Sequence, residues 1–259
     1  MAKQTKTPAE VQSVVLALRL LERLALHDGP LGVTALATAL ETTKNRVYRH
    51  LRTLVQQGYV AQLPSEKYCI GSRLVSFGRS ATRHDRLPVI ADPHMRELRD
   101  ALGYGVTLGR VEPEGLRVVA SLPGRAAVHI AMREGGLAPL HATSMGKVVL
   151  AFGPKALREK VFRGRLTALT PRTIVRHTVL QKELQRVQQL GWATAPDELL
   201  IGLNAVSAPI FDAGGQLSAT LCIVDSVQFI GPSPTSVQVT KTVVAAKRIS
   251  AMLGHREAR

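Results

Sequence analysis

Three short runs of helical periodicity, set close together between Val11 and Val60, leave little choice of architecture at this end of the chain. The first, "VQSVVLALRLLERLALHDGP", is amphipathic and stops at the breaker pair Gly29-Pro30. The second, "VTALATALE", is brief. The third, "TTKNRVYRHLRTLVQQGYV", takes Thr42 or Thr43 as its cap and Gly58 as its stop. At 100° per residue Val47, Leu51, Leu54 and Val55 form one apolar stripe. Asn45, Arg49, Arg52 and Gln56 fall opposite it, flanked by Arg46 and Tyr48. Residues 42–60 carry four Lys or Arg, one His and no acid.

Three helices joined by tight turns, the last one basic, read as a helix-turn-helix unit. The next stretch, "YVAQLPSEKYCIG", reads as a hairpin around Pro64-Ser65-Glu66-Lys67, which in that place is a wing. The expected contacts to double-stranded DNA are Thr43, Lys44, Asn45, Arg46, Tyr48, Arg49 and Arg52 on the helix and Lys67 on the wing. Lys44 suits a phosphate, and Asn45, Arg46 and Tyr48 are candidate base readers. A basic helix face is more often merely solvated, and Tyr48 has packing as its alternative; the acid-free face, the preceding short helix and the wing together favour DNA.

The charge agrees. The chain has 259 residues, 34 Lys+Arg against 19 Asp+Glu and a formal net charge of +15, which favours polyanionic partners. Residues 1–86 hold 13 basic and 6 acidic groups against 21 and 13 in the remainder, so the density tilts toward the N-terminus. Two cysteines, Cys69 and Cys222, give neither a disulfide framework nor a CxxC pattern, and a reducing cytoplasm is the expected location. The opening "MAKQTKTPAEVQ" lacks a hydrophobic signal core and no run approaches the ~18 apolar residues of a membrane span, so no membrane association is expected. With 4% aromatic residues the surface is poorly suited to stacking single-stranded bases.

A short helix fits residues 71–86, after which the character changes. "IADPHMRELRDALG" reads as a helix, and "YGVTLGRV", "GLRVVASL" and "AVHIAM" as consecutive strands. "SMGKVVLAF" and "TVLQKELQRVQQLG" are helical, "VSAPIFDAGGQLSATLCIVD" is a hairpin turning at Asp212–Gly215, and a last helix runs from about Ser236 to Leu253. The expected class is therefore α+β, with a winged helix-turn-helix at 1–71, a linker helix at 72–86 and an α/β domain at 87–259.

In the second domain, Thr143 or Ser144 can cap a helix whose first turn contains Gly146, leaving backbone N–H groups for an anion such as a carboxylate. An ordinary capped helix is the plain alternative. No glycine lies ahead of Gly146-Lys147 at Walker A spacing, so nucleotide hydrolysis is unsupported. A hydrolase using Ser144 or Cys222 with His141 as base is the rival; GxSxG is absent and Cys222 sits in an aliphatic strand. The eight histidines form no HxxxH or HExxH pair, and neither a metal nor a cofactor is expected. A nucleoid-type DNA binder without a ligand is a third reading, which leaves the second domain without a role.

The ordered set "VQSVVLALRLLERLALHDGPLGVTALATALETTKNRVYRHLRTLVQQGYV", "LHATSMGKVVLAF", "LTPRTI" and "APIFDAGGQL" resembles the IclR family of bacterial transcriptional regulators over nearly the full length. The resemblance implies an effector domain built on a curved, GAF-like antiparallel sheet, and dimers or tetramers on palindromic operators. Where family members often carry Lys-Ser-Thr, this chain has Lys44-Asn45-Arg46. Arg pairs with guanine and Asn with adenine at two points, each worth about 1–3 kcal/mol of discrimination, so the operator should differ from those of typical relatives.

The resemblance also places a small-molecule pocket between Thr143–Gly146 and the sheet. An acid that relatives supply falls at Ala195, with Asp197 and Glu198 nearby, and polar strand positions fall at Ala205, Cys222 and Val224. Met145 adds bulk, and Ile130 and Leu203 are candidate walls. The expected effector-binding set is thus Ile130, Thr143, Ser144, Met145, Gly146, Leu203, Ala205, Cys222 and Val224, suited to an aromatic or otherwise bulky carboxylate more than to a tiny keto acid.

Overall fold

The computed structural model describes residues 10–82, 86–126, 130 and 132–256. The chain divides into two compact units, Met1–Asp85 and Arg86–Arg259.

In the first unit, α1 (Gln12–Leu26), α2 (Val33–Ala39) and α3 (Lys44–Gln56) enclose a small core. Leu16, Leu20 and Leu24, at i, i+4 and i+8, meet Leu36, Val47 and Leu51 there. Thr43 is the cap: its Oγ1 accepts the Arg46 N–H at 3.4 Å. The wing is β1 (Val60–Gln62) paired antiparallel with β2 (Tyr68–Ile70). Tyr68 also exchanges both backbone hydrogen bonds with Leu31, a third short edge that sequence reasoning did not supply. At Gly71 a Cβ would run into the Gly58 carbonyl, so only glycine lets the wing turn back against the end of α3. Then α4 (Ser72–Thr82) leaves Val75 and Phe77 exposed.

The second unit opens with α5 (Arg86–Leu102), which begins before Pro88; proline fits there because a first-turn N–H has no intrahelical acceptor. Its strands are β3 (Gly105–Glu112), β4 (Gly115–Leu122), β5 (Leu137–Ala138), β6 (Ala193–Thr194), β7 (Leu203–Phe211) and β8 (Leu217–Ser226). They form one curved antiparallel sheet in the order β5-β4-β3-β8-β7-β6. Its helices are α6 (Ser144–Phe152), α7 (Lys155–Arg163), α8 (His177–Leu190) and α9 (Ser236–Met252). The fold is α+β.

Strand alternation assigns the two faces. Val206, Ala208 and Ile210 of β7 with Ala219, Leu221 and Ile223 of β8 pack against α5 and α9. Their alternates, Ala205, Cys222 and Val224, turn to α6 and α8. One sequence expectation needs correction, and one helix had no expectation at all. The strand expected at 127–132 falls partly outside the described residues, and of it Ile130 and Met132 are in no strand; the sheet edge is Leu137–Ala138. The helix α7 leaves no clear periodic signal, because its sequence "KALREKVFR" is charged and buries only Leu157. Among the described residues no helix is long and apolar enough to cross a membrane.

Candidate functional site

The candidate DNA face is the outer side of α3. Thr43, Lys44, Asn45, Arg46, Tyr48, Arg49 and Arg52 are all exposed, as is Lys67 on the wing. Tyr48 is 52% exposed, so packing is not what holds it. None of Lys44, Arg46, Arg49, Arg52 and Lys67 has an ion-pair partner among the described residues, which leaves each cation available to a phosphate or base edge. The set is not uniform. Arg49, with His50 and Thr53, borders an apolar groove of about 620 Å³ formed with Val14, Leu18 and Phe77, whereas Lys44, Asn45, Tyr48 and Arg52 do not line it. His50 is held by a 2.8 Å hydrogen bond between its Nδ1 and the Arg46 carbonyl oxygen.

In the second unit, eight of the nine expected effector residues line one cavity: Ile130, Thr143, Ser144, Met145, Leu203, Ala205, Cys222 and Val224. The ninth, Gly146, stands apart. A Cβ there would collide with the Leu140 backbone, and its own N–H is taken by the Thr143 hydroxyl at 3.0 Å, so it seats the helix and is not a free donor. The amides of Ser144 and Met145 are the ones with no acceptor among the described residues. Met132, Ala142, Ala195, Leu199 and Asn204 complete the wall. The cavity is only about 40 Å³, room for about one water molecule.

The polar groups at this cavity are few. The Ser144 hydroxyl lies 2.7 Å from the Ser207 hydroxyl and 4.0 Å from the Cys222 sulfur. Burial pushes the Cys222 thiol up to about 11. A hydrolase is not assembled: the His141 Nε2 bonds to the Thr167 carbonyl at 2.9 Å, and the Ser144 hydroxyl is engaged with Ser207. Among the described residues no group of three His, Cys, Asp or Glu could hold a metal ion.

Sequence reasoning missed the charge cluster beside the cavity. Lys147, 1% exposed, donates to the Glu198 Oε1 at 2.5 Å, the Thr194 carbonyl at 3.0 Å and the Glu183 Oε1 at 3.4 Å. Glu183 is gripped in turn by Arg186, at 2.8 and 2.9 Å. Burial raises the Glu183 carboxyl, but Arg186 and Lys147 outweigh it and hold the group below the ordinary value. Glu198 goes the other way: its burial exceeds the pull of Lys147, and its carboxyl is raised. The signal was present, since a lysine inside the otherwise apolar "SMGKVVLAF" must be buried and must find acids.

Comparison with known proteins decides what this pairing of units is. A family model described as "IclR helix-turn-helix domain" matches residues 13–64, and one described as "Bacterial transcriptional regulator IclR C-terminal" matches 80–251. The chain belongs to the IclR family. The HTH-type transcriptional regulator KdgR of Escherichia coli (strain K12) is 29% identical over 97% of this chain and 96% of that protein. The crystal structure of an IclR regulator from Alicyclobacillus acidocaldarius superposes with a TM-score of 0.84 at 26% identity, covering 95% of this chain and 98% of that one. An IclR homolog from Microbacterium hydrocarbonoxydans, solved with 4-hydroxybenzoate, shares the fold with a TM-score of 0.83 at 22% identity over 93% and 98%. This IclR chain is therefore a transcriptional regulator with a helix-turn-helix DNA-binding domain and an effector-binding domain, and not an enzyme.

Proposed function

We propose that this IclR-family regulator binds a palindromic operator as a homodimer or a pair of dimers, and that a small organic acid, an aromatic carboxylate in particular, switches it by entering the cavity beside Ser144. One recognition helix binds too weakly to select a site from a genome, and two helices set ~34 Å apart read the two halves of a palindrome. The partner at the apolar groove of the first unit is a second copy: Val14 and Leu18 on α1 and Phe77 on α4 are 54%, 54% and 63% exposed there, a surface that favours burial. Residues 72–86 act as the linker between reading and sensing units.

The observation that carries the effector reading is that Ser144 and Met145, whose amides lack acceptors, line an otherwise apolar cavity. A carboxylate satisfies those donors and an apolar body fills the space between Leu203, Ala205 and Val224. The Microbacterium hydrocarbonoxydans homolog holds 4-hydroxybenzoate, a molecule of this kind. The acid acts by binding one dimer geometry better than another, which changes the distance between the recognition helices. The test is a thermal shift with 4-hydroxybenzoate and a panel of aliphatic acids, paired with a mobility shift on DNA upstream of the protein's own gene. An acid that raises the melting temperature and alters the DNA complex is expected. A chain that binds the duplex while ignoring every acid would instead be a ligand-independent DNA binder.

A further inference from the structure

We propose that the Lys147–Glu198 ion pair is a latch that holds residues 195–203 over the effector cavity, and that a ligand enters only when the pair parts. The inference rests on the effector reading for the cavity's role, but the latch itself exists with or without a ligand. Ligand pockets usually enclose about 300–1,000 Å³. At about 40 Å³ this one is shut, and some wall has to move.

The walls differ in how they are held. Ala205, Cys222 and Val224 sit in a continuous β7–β8 ladder. The helix α6 is buried from Ser144 to Ala151 and seated on the Leu140 backbone by Gly146. The connection from β6 to β7, which brings Ala195, Leu199 and Leu203 to the cavity, is built differently. Asp197 and Gly202 are left-handed, with φ of +59° and +86°, and the Asp197 carboxylate accepts the Gly202 N–H at 2.6 Å, which closes 197–202 into one body. Its tip exposes Leu200 and Ile201, 61% and 69%. Its base is fixed by Asn204, whose Oδ1 accepts the Ala195 and Ala205 amides and whose Nδ2 donates to the Ile230 and Gly231 carbonyls. A closed body on a fixed base, with an apolar underside at Leu199, is a lid.

Among the described residues, three side chains fasten it, besides the backbone bond that the Val227 N–H donates to the Gly202 carbonyl at 2.9 Å. The Thr170 and Thr173 hydroxyls donate to the Asp197 and Glu198 carbonyls at 2.5 and 2.7 Å, and Lys147 holds the Glu198 carboxylate. Among the described residues Lys147 provides the charged fastening, and it belongs to the same helix whose first turn faces the effector. The pair is built to open. Among the described residues Glu198 Oε2 is buried with no partner, so the closed state is incompletely satisfied. Lys147 keeps the Thr194 carbonyl and Glu183 as acceptors when Glu198 leaves. A cleft of about 470 Å³ also reaches Lys147, Glu183, Arg186 and Glu198, giving water a route to both separated charges.

Hydrogen exchange on the full-length protein, with no acid present, tests the latch. Glu198→Gln should speed exchange of the amides in 195–203 about tenfold while the β7 and β8 amides keep wild-type protection. Glu198→Asp, which retains charge but draws the carboxylate back, should give a smaller rise in the same segment and serves if the first variant folds poorly. Thr173→Val, which leaves the pair intact, should change the segment less than either. Unchanged exchange at 195–203 in both Glu198 variants would overturn the proposal, as would a rise shared evenly with the sheet, because the pair would then brace the whole domain. Stopped-flow mixing with 4-hydroxybenzoate adds a second reading: the latch predicts faster association for Glu198→Gln, and equal rates with measurable binding contradict it. If no acid binds wild type, the effector reading fails while the exchange result still decides the lid.

Discussion

Ser207 and Cys222 face each other in register on β7 and β8, and Ser144 at the start of α6 reaches both, at 2.7 Å to the hydroxyl and 4.0 Å to the sulfur. The thiol is therefore packed at the junction of helix and sheet, and burial has raised it to about 11. At pH 8 a thiol reagent should modify the half-buried Cys69 and leave Cys222 unmodified until the protein is denatured. Rapid labelling of two thiols per native chain would show that the junction is open.

Asn45 sits on the exposed side of α3, clear of the apolar groove that Arg49 borders. Asn45→Ala should relax base preference at one position in each half-site by about 1–3 kcal/mol and leave the salt dependence unchanged. Selection of duplexes from a random pool by both proteins measures this. A uniform loss of affinity across sequences would instead make Asn45 a backbone contact.

The first turn of α6 depends on the absence of a side chain at 146, where a Cβ would meet Leu140 backbone atoms that cannot yield. Gly146→Ala should cost about 1–3 kcal/mol in urea unfolding. It should also weaken acid binding, since the Ser144 and Met145 amides move with that turn. An unchanged midpoint would mean that the helix seats itself by other contacts.

These sites were unequally legible in the sequence. The outer face of α3 was readable because its polar and apolar residues segregate at 3.6-residue spacing, which fixes what faces out. The cavity residues on β7 and β8 were placed by the family resemblance alone, and Gly146, expected among them, is absent from the cavity lining because it packs against the Leu140 backbone; a close backbone approach leaves the same sequence trace as an anion-binding turn. Nothing in the sequence pairs Lys147 with Glu198: 51 positions separate them, and only the return of the chain beside α6 brings them together. The edge at Leu31 was equally invisible, because a single bridge needs no strand periodicity.

Glu198 gives the fold a pH signature. Burial, more than the opposing pull of Lys147, raises its carboxyl, so the folded chain holds that proton to higher pH than the unfolded chain. Its contribution is thus fully present below the unfolded pKa and is lost as pH rises through the folded value. Glu183, held low by Arg186 and Lys147 against its burial, contributes with the opposite sign and loses its stabilisation as pH falls through its own folded value. Melting temperatures of wild type and Glu198→Gln from about pH 4.5 to 7 should therefore show wild type losing ground to the variant as pH rises. Parallel curves would contradict the raised carboxyl.

The central claim is that the acid-free flank of α3 enters the groove of duplex DNA. Anisotropy titrations of a labelled duplex from upstream of the protein's own gene, run over a salt series with wild type and Arg52→Ala, test it most directly. The account predicts tight wild-type binding that falls steeply with salt, and a variant that binds more weakly with a log–log slope shallower by about 1 if Arg52 contacts phosphate. Binding by Arg52→Ala indistinguishable from wild type at every salt concentration, or no binding of duplex by wild type, would contradict it.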